Sequence, residues 1–271
     1  MNNMKKIQTY GKVFFRYLSL STMYNATYRE GFFIALGVEI FYAVTSIVFF
    51  NILFGSIKSF AGWSYWEVLL LVGIDTIMSE LLVGLVFANG TNVLPRLIKT
   101  GNVDYFLLKP IPSYFLLNLA QPYFPSVLST LFGFILISIS LSHLAIAFSF
   151  VTIVGVLIMM VSGFIIASSI MIMVASLAFI FSYSNTFPRI GMNLTINFSD
   201  KPHHVYNSLV LKSVFYFIIP AIFLSSVPAY SIMHGIDSPF FLSAIGLAVV
   251  FSLLSFTVWN YMISNYTSAS S

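Results

Sequence analysis

Long apolar runs, each about the length of a helix that crosses a bilayer, alternate along this chain with short polar segments. Lipid offers the backbone no hydrogen-bond partners, so runs of this length must satisfy themselves as helices. The pattern predicts an all-α membrane protein with six transmembrane helices, at about 31–57, 66–90, 113–140, 148–182, 208–229 and 239–263. Ahead of the first run the period changes. Ile7, Tyr10, Phe14, Tyr17 and Leu18 recur at helical spacing, with Gln8, Lys12, Arg16 and Ser19 opposite them. Residues 1–30 therefore read as an amphipathic interfacial helix, or as a short solvated helix packed on other protein, and 31–271 as a six-span transmembrane domain.

Composition strengthens this reading. The 271 residues are 59% hydrophobic and 17% aromatic, with a mean hydropathy of +0.95, more apolar surface than a soluble domain can hide. Charge then orients the spans. Lys5, Lys6, Lys12, Arg16 and Arg29 precede the first run, Arg96, Lys99 and Lys109 follow the second, and Arg189 and Lys201 follow the fourth, whereas the opposite connections carry only Lys58. The positive-inside bias predicts cytoplasmic termini, including the amphipathic helix, and cytoplasmic connections at about 91–112 and 183–207. Lys212 can snorkel to the same side. The net charge of +4 bears on orientation and gives no reason to expect a nucleic-acid partner. The absence of cysteine excludes disulfides and thiolate chemistry. The N-terminus has no compact apolar core followed by a small-residue cleavage site, so the first span is expected to serve as the insertion signal.

Few catalytic patterns survive inspection. There is no phosphate-cradling G-x-x-x-x-G-K-[ST] loop, no H-E-x-x-H helix and no G-x-S-x-G elbow, so ATP, if used, is bound elsewhere, and no paired catalytic constellation argues for an intramembrane enzyme. "SDKPHH", Ser199 to His204, could hold a metal or be a polar loop. Among the acids of the spans, Glu67 reads as interfacial, while Glu39, Asp75 and Glu80 are ionisable groups at membrane depth. Asp75 and Ser79 share a helix face, but Asp75 and Glu80 point about 140° apart and form no carboxylate pair. Each acid is a relay group, a partner for a neighbouring span, or a group near the outer interface. Asn118 and Gln121, sharing a face just before Pro122 and Pro125, could touch a polar solute or bond between helices, so Asp75, Glu80, Asn118 and Gln121 are the candidate substrate path. The fifth run, interrupted by Pro220 and Pro228, is open to being broken or re-entrant.

In "NVLPRLIKTGNVDYFLLKPIPSYF", Asn92 to Phe115, Asn92 is suited to cap a short helix, Pro95 to its first turn and Gly101 to a left-handed end. Val93, Leu94, Leu97 and Ile98 make one side apolar, and Arg96 and Lys99 leave the other basic. Asp104 is placed to cap a second turn from Tyr105. A loop whose charge merely sets topology and touches headgroups satisfies the same residues.

"TGNVDYFLLKP", Thr100 to Pro110, resembles a pattern between the second and third spans of ATP-binding-cassette exporter permeases of the type-2 group. The proline-bearing "IIPAIFLSSVPA" and the terminal "WNYMISNYTSAS" agree with it. Lys109 stands where the pattern often has arginine, which keeps the charge and loses the bidentate fork. The resemblance implies a permease subunit in a prokaryotic plasma membrane, paired with a second permease chain, identical or sister, and driven by separate ABC ATPase subunits that bind ATP and Mg. This chain would bind no cofactor itself. Leu94, Arg96, Leu97, Ile98 and Lys99, together with Gly101, Asp104 and Lys109, would form the segment that docks on the ATPase. The competing reading is an ion-coupled secondary transporter or channel without an ATPase, using Asp75, Glu80 or Glu39.

Overall fold

The computed structural model describes residues 3–27, 29–118, 122–146, 149–181 and 186–266. The described residues form helices and no strand. In order these are α1 (Asn3–Thr27), α2 (Arg29–Ser56), α3 (Tyr65–Leu82), α4 (Leu94–Lys99), α5 (Val103–Leu107), α6 (Ser113–Asn118), α7 (Phe124–Leu144), α8 (Phe150–Ser176), α9 (Thr186–Ile196), α10 (Leu209–Ser213), α11 (Ser226–His234) and α12 (Ser238–Ser264). Four described stretches are long and apolar enough to cross a membrane: Glu30–Ser56, Tyr65–Lys99, Phe150–Phe179 and Ser238–Ser264.

The α1 pattern matches its burial. Tyr10, Phe14, Tyr17 and Leu18 are half-buried, while Gln8, Lys12, Arg16 and Ser19 are exposed. The Tyr10 ring lies 5.1 Å from that of Phe115, and Ser21 donates to the carbonyl of Pro122, so α1 packs on the chain around the α6–α7 junction.

At the centre, α3 packs along α7. They approach closely because two glycines face each other: a Cβ on Gly73 would sit 3.1 Å from the Gly133 carbonyl oxygen, and one on Gly133 2.6 Å from that of Gly73. Small residues at such a crossing let backbones meet where no hydrophobic force drives helices together. The α2–α3 connection ends in a tight turn, with Ala61 and Gly62 both at positive φ and reciprocal bonds between Phe60 and Trp63. That geometry suits the primed two-residue turn and fixes Trp63 at the mouth of the bundle.

The run expected as the fifth span, 208–229, is broken in the structure, the alternative its prolines left open. Pro220 has no N–H to continue a helix, and the segment folds as a hairpin. One arm runs through α10 and a π turn at Val214–Ile218, the tip lies at about 219–225, and α11 returns. The tip is buried: Ile222 is fully inaccessible and Phe223 and Leu224 nearly so. Gly163 of α8 admits it, since a Cβ there would lie 2.0 Å from the Phe223 carbonyl oxygen.

A second expectation conflicts with the fold. Trp63 Nε1 donates to His204 Nδ1 at 3.3 Å, and its ring meets that of His203. Groups in contact cannot lie on opposite sides of a ~30 Å hydrocarbon core. The 57–64 connection and the 203–204 end of the 183–207 segment therefore share a side.

Candidate functional site

Two kinds of site emerge, a polar exposed end on the second apolar helix and buried acids within the bundle. The helix begun as α3 does not stop at Leu82. It continues through two π turns, Val83–Phe87 and Asn89–Val93, into α4, giving 35 residues from Tyr65 to Lys99. At 1.5 Å per residue this is about 50 Å, well beyond the ~30 Å core, so one end must project.

Asn92 is consequently inside the helix and caps nothing, because no new helix starts there. The phase inherited from α3 turns Leu94 and Ile98 into the chain's own core, where they are 1% and 5% exposed, and neither can offer its side chain to a partner in this arrangement. Arg96 and Lys99 are exposed and Leu97 is half-buried. Thr100 Oγ1 donates to the Arg96 carbonyl at 3.0 Å, and Gly101, at φ +68°, turns the chain as a left-handed end requires. Asn102, not Asp104, precedes α5, and Asp104 lies in its first turn. Val103 anchors α5 in the core. Tyr105, at 67%, and Leu108, at 86%, face out, an apolar pair the sequence reading had not singled out. Lys109 Nζ lies over the rings of Tyr105 and Phe106 at 4.7 and 4.6 Å, which braces the return by cation–π attraction.

The acids point apart as their spacing requires. Asp75 is buried, and its Oδ1 accepts from Ser199 Oγ at 2.6 Å and Ser225 Oγ at 2.9 Å, while Ser79 Oγ lies 3.4 Å from Oδ2. Ser225 Oγ also lies 2.6 Å from the Ser199 carbonyl oxygen, and its one proton serves one acceptor at a time. The network ties α3 to the chain after α9 and to the hairpin tip. Glu80 accepts from Ser126 of α7 and lies beside Glu39 of α2. Both acids thus have partners on other segments, and the two sets do not meet. Ser199, Ser225 and Ser126 escape a sequence reading because serines are common in these apolar runs; only Ser199, beside the "DKPHH" cluster, carried a hint. Asn118 closes α6, and its side chain, like all of Gln121, lies outside the described residues.

Among known families, the sequence model described as "ABC-2 family transporter protein" matches residues 40–270. No curated protein and no solved structure matches.

Proposed function

The chain belongs to the ABC-2 family of transporter proteins, a multi-pass membrane transport subunit, and from that premise we propose that it is the permease of an exporter driven by separate ATPase chains. Six crossings would be made by α2, by α3 with its continuation, by α6 with α7, by α8, by α9 with the unwound chain after it, and by α12. The hairpin 209–234 would enter from the Trp63 side and turn back. The basic end at Arg96 and Lys99 favours the cytoplasm for the opposite side, with both termini there. A second permease copy or sister chain would complete the path, in a prokaryotic plasma membrane.

The observation that carries the reading is the projecting end of the 65–99 helix. It is continuous with the bundle, and it presents Arg96, Lys99, Tyr105 and Leu108 outward from an anchored base of Leu94, Ile98 and Val103. An exposed apolar pair rimmed by charge is the composition of a contact surface. A push on it would travel up α3 to Asp75 and the hairpin tip. Nucleotide and Mg chemistry would belong to the ATPase.

The test is co-purification and coupled hydrolysis with the ATPase. Tyr105→Ala with Leu108→Ala, and separately Arg96→Ala with Leu97→Ala, are expected to lose the ATPase or uncouple it while the permease still inserts. Normal complex and normal transport in both would overturn the docking assignment.

A further inference from the structure

The unwound chain after α9 leaves the bundle along the segment Ser199 to His204: Ser199 is still bonded to Asp75 of α3, whereas His203 and His204, at its end, meet Trp63 of the 57–64 turn at the mouth. Several parts of the fold converge on its histidines. The His203 ring lies 6.2 Å from Trp63, 4.0 Å from His204, 4.9 Å from Tyr230 of α11 and 5.4 Å from Phe240 of α12, centroid to centroid. His234 stacks on the far member of this group, Tyr230, at 4.4 Å. His203 is 4% exposed, its backbone N–H donates to Ser226 Oγ at 2.8 Å, and its Nδ1 is buried without a hydrogen-bond partner.

A metal does not account for the cluster: among the described residues no three His, Cys, Asp or Glu are placed to share an ion. Nor, among the described residues, does a carboxylate stand ready for a charged imidazole. The titratable groups around His203 are His204 on its own segment and Tyr230 and His234 on α11; Trp63 and Phe240, from the other two packed elements, carry no charge. Asp200, three residues back, is held by Lys201 at 2.5 Å.

We propose that His203 is a proton-sensitive clasp that holds the re-entrant hairpin against the 57–64 turn. A neutral imidazole leaves Nδ1 as a bare acceptor, a small penalty. A protonated ring must donate from both nitrogens and place a charge among rings, beside two further imidazoles. Acid therefore drives the ring out of its pocket and frees α11 from Trp63. Burial first, then His204 and His234, hold His203 at about 4. The free value is about 6.5. Because the folded value is lowered, the clasp is at full strength above pH about 6.5 and weakens as pH falls through the window between the two. The open fraction then rises up to tenfold per pH unit, or about 30-fold between pH 7.5 and 5.

Hydrogen exchange of the full chain in lipid nanodiscs, corrected for intrinsic rates, tests this. Amides of 226–234 are expected to lose protection by about that factor between pH 7.5 and 5, while those of the α3 core hold. His203→Phe, which fills the pocket and does not titrate, is expected to flatten the profile, and His234→Phe to keep it. A flat wild-type profile overturns the proposal without recourse to any variant, and so does a His203→Phe profile that follows the wild type.

Discussion

Replacing Gly163 by alanine probes how the hairpin tip is seated. A Cβ there would lie 2.0 Å from the Phe223 carbonyl oxygen, 2.7 Å from the Phe223 carbonyl carbon and 3.0 Å from Leu224 Cα, all backbone atoms that no rotamer change can move aside. Ordinary contact begins at about 3.4 Å, so the tip must retreat by more than an ångström along a path blocked by its own burial. Overpacking of this kind costs about 1–3 kcal/mol, and a backbone obstacle puts it at the upper end. The better helix propensity of alanine returns up to about 1 kcal/mol, leaving a net loss of about 2 kcal/mol. Gly246→Ala is the control, because a Cβ on α12 there meets nothing within 4 Å. Denaturant unfolding in a fixed detergent gives the stability, and hydrogen exchange at 220–225 locates the change. If Gly163→Ala matches Gly246→Ala in midpoint and leaves exchange at 220–225 as in wild type, the seating of the tip described above is wrong.

Other perturbations have similarly defined outcomes. Trp259 is fully buried, with Nε1 3.4 Å from Ser113 Oγ and its ring against Tyr114 and Phe179. Trp259→Ala should cost about 3–5 kcal/mol in unfolding free energy, and Trp259→Phe clearly less. Asp75→Asn keeps an acceptor for Ser199 and Ser225 and offers donors to the serine hydroxyl oxygens, so it should cost about 1 kcal/mol; Asp75→Ala, which leaves the serine network without its hub, should cost about 2–4 kcal/mol, measured by the same unfolding. Glu80→Gln with Glu39→Gln is expected to leave insertion intact, and abolition of a proton-dependent flux by this pair would support the ion-coupled alternative.

Helices α2, α8 and α12 were legible as apolar runs because lipid permits little else at that length. The hairpin was legible only as an alternative, since 208–229 is as apolar as a crossing helix and hydropathy cannot tell a buried re-entrant tip from a span. Pro220 was the local sign. Charge counting went astray at Lys201, which is paired with Asp200 and also donates to the Asn197 carbonyl at 2.7 Å, and so is a weak vote for either side. The docking end shows the same limit from another direction. Its composition was visible, but which residues face out depends on helix phase, and that phase is set from Tyr65 onward and shifted by the two π turns at Val83–Phe87 and Asn89–Val93. A fresh start at Asn92 gives no sign that Leu94 and Ile98 lie buried in the chain's own core.

The two π turns within the 65–99 helix have a bearing on how this chain tolerates changes of length. A π turn is an α-helix holding one surplus residue. Deleting a residue elsewhere in the helix would swing everything beyond it by about 100° and draw it back about 1.5 Å, pulling Leu94 and Ile98 out of the core. Deleting one within 83–93 can instead relax a π turn to α and leave both ends in register. Single-residue deletions scanned along the helix should therefore be accepted in that window and rejected on either side of it, so that the helix carries its own slack at one place.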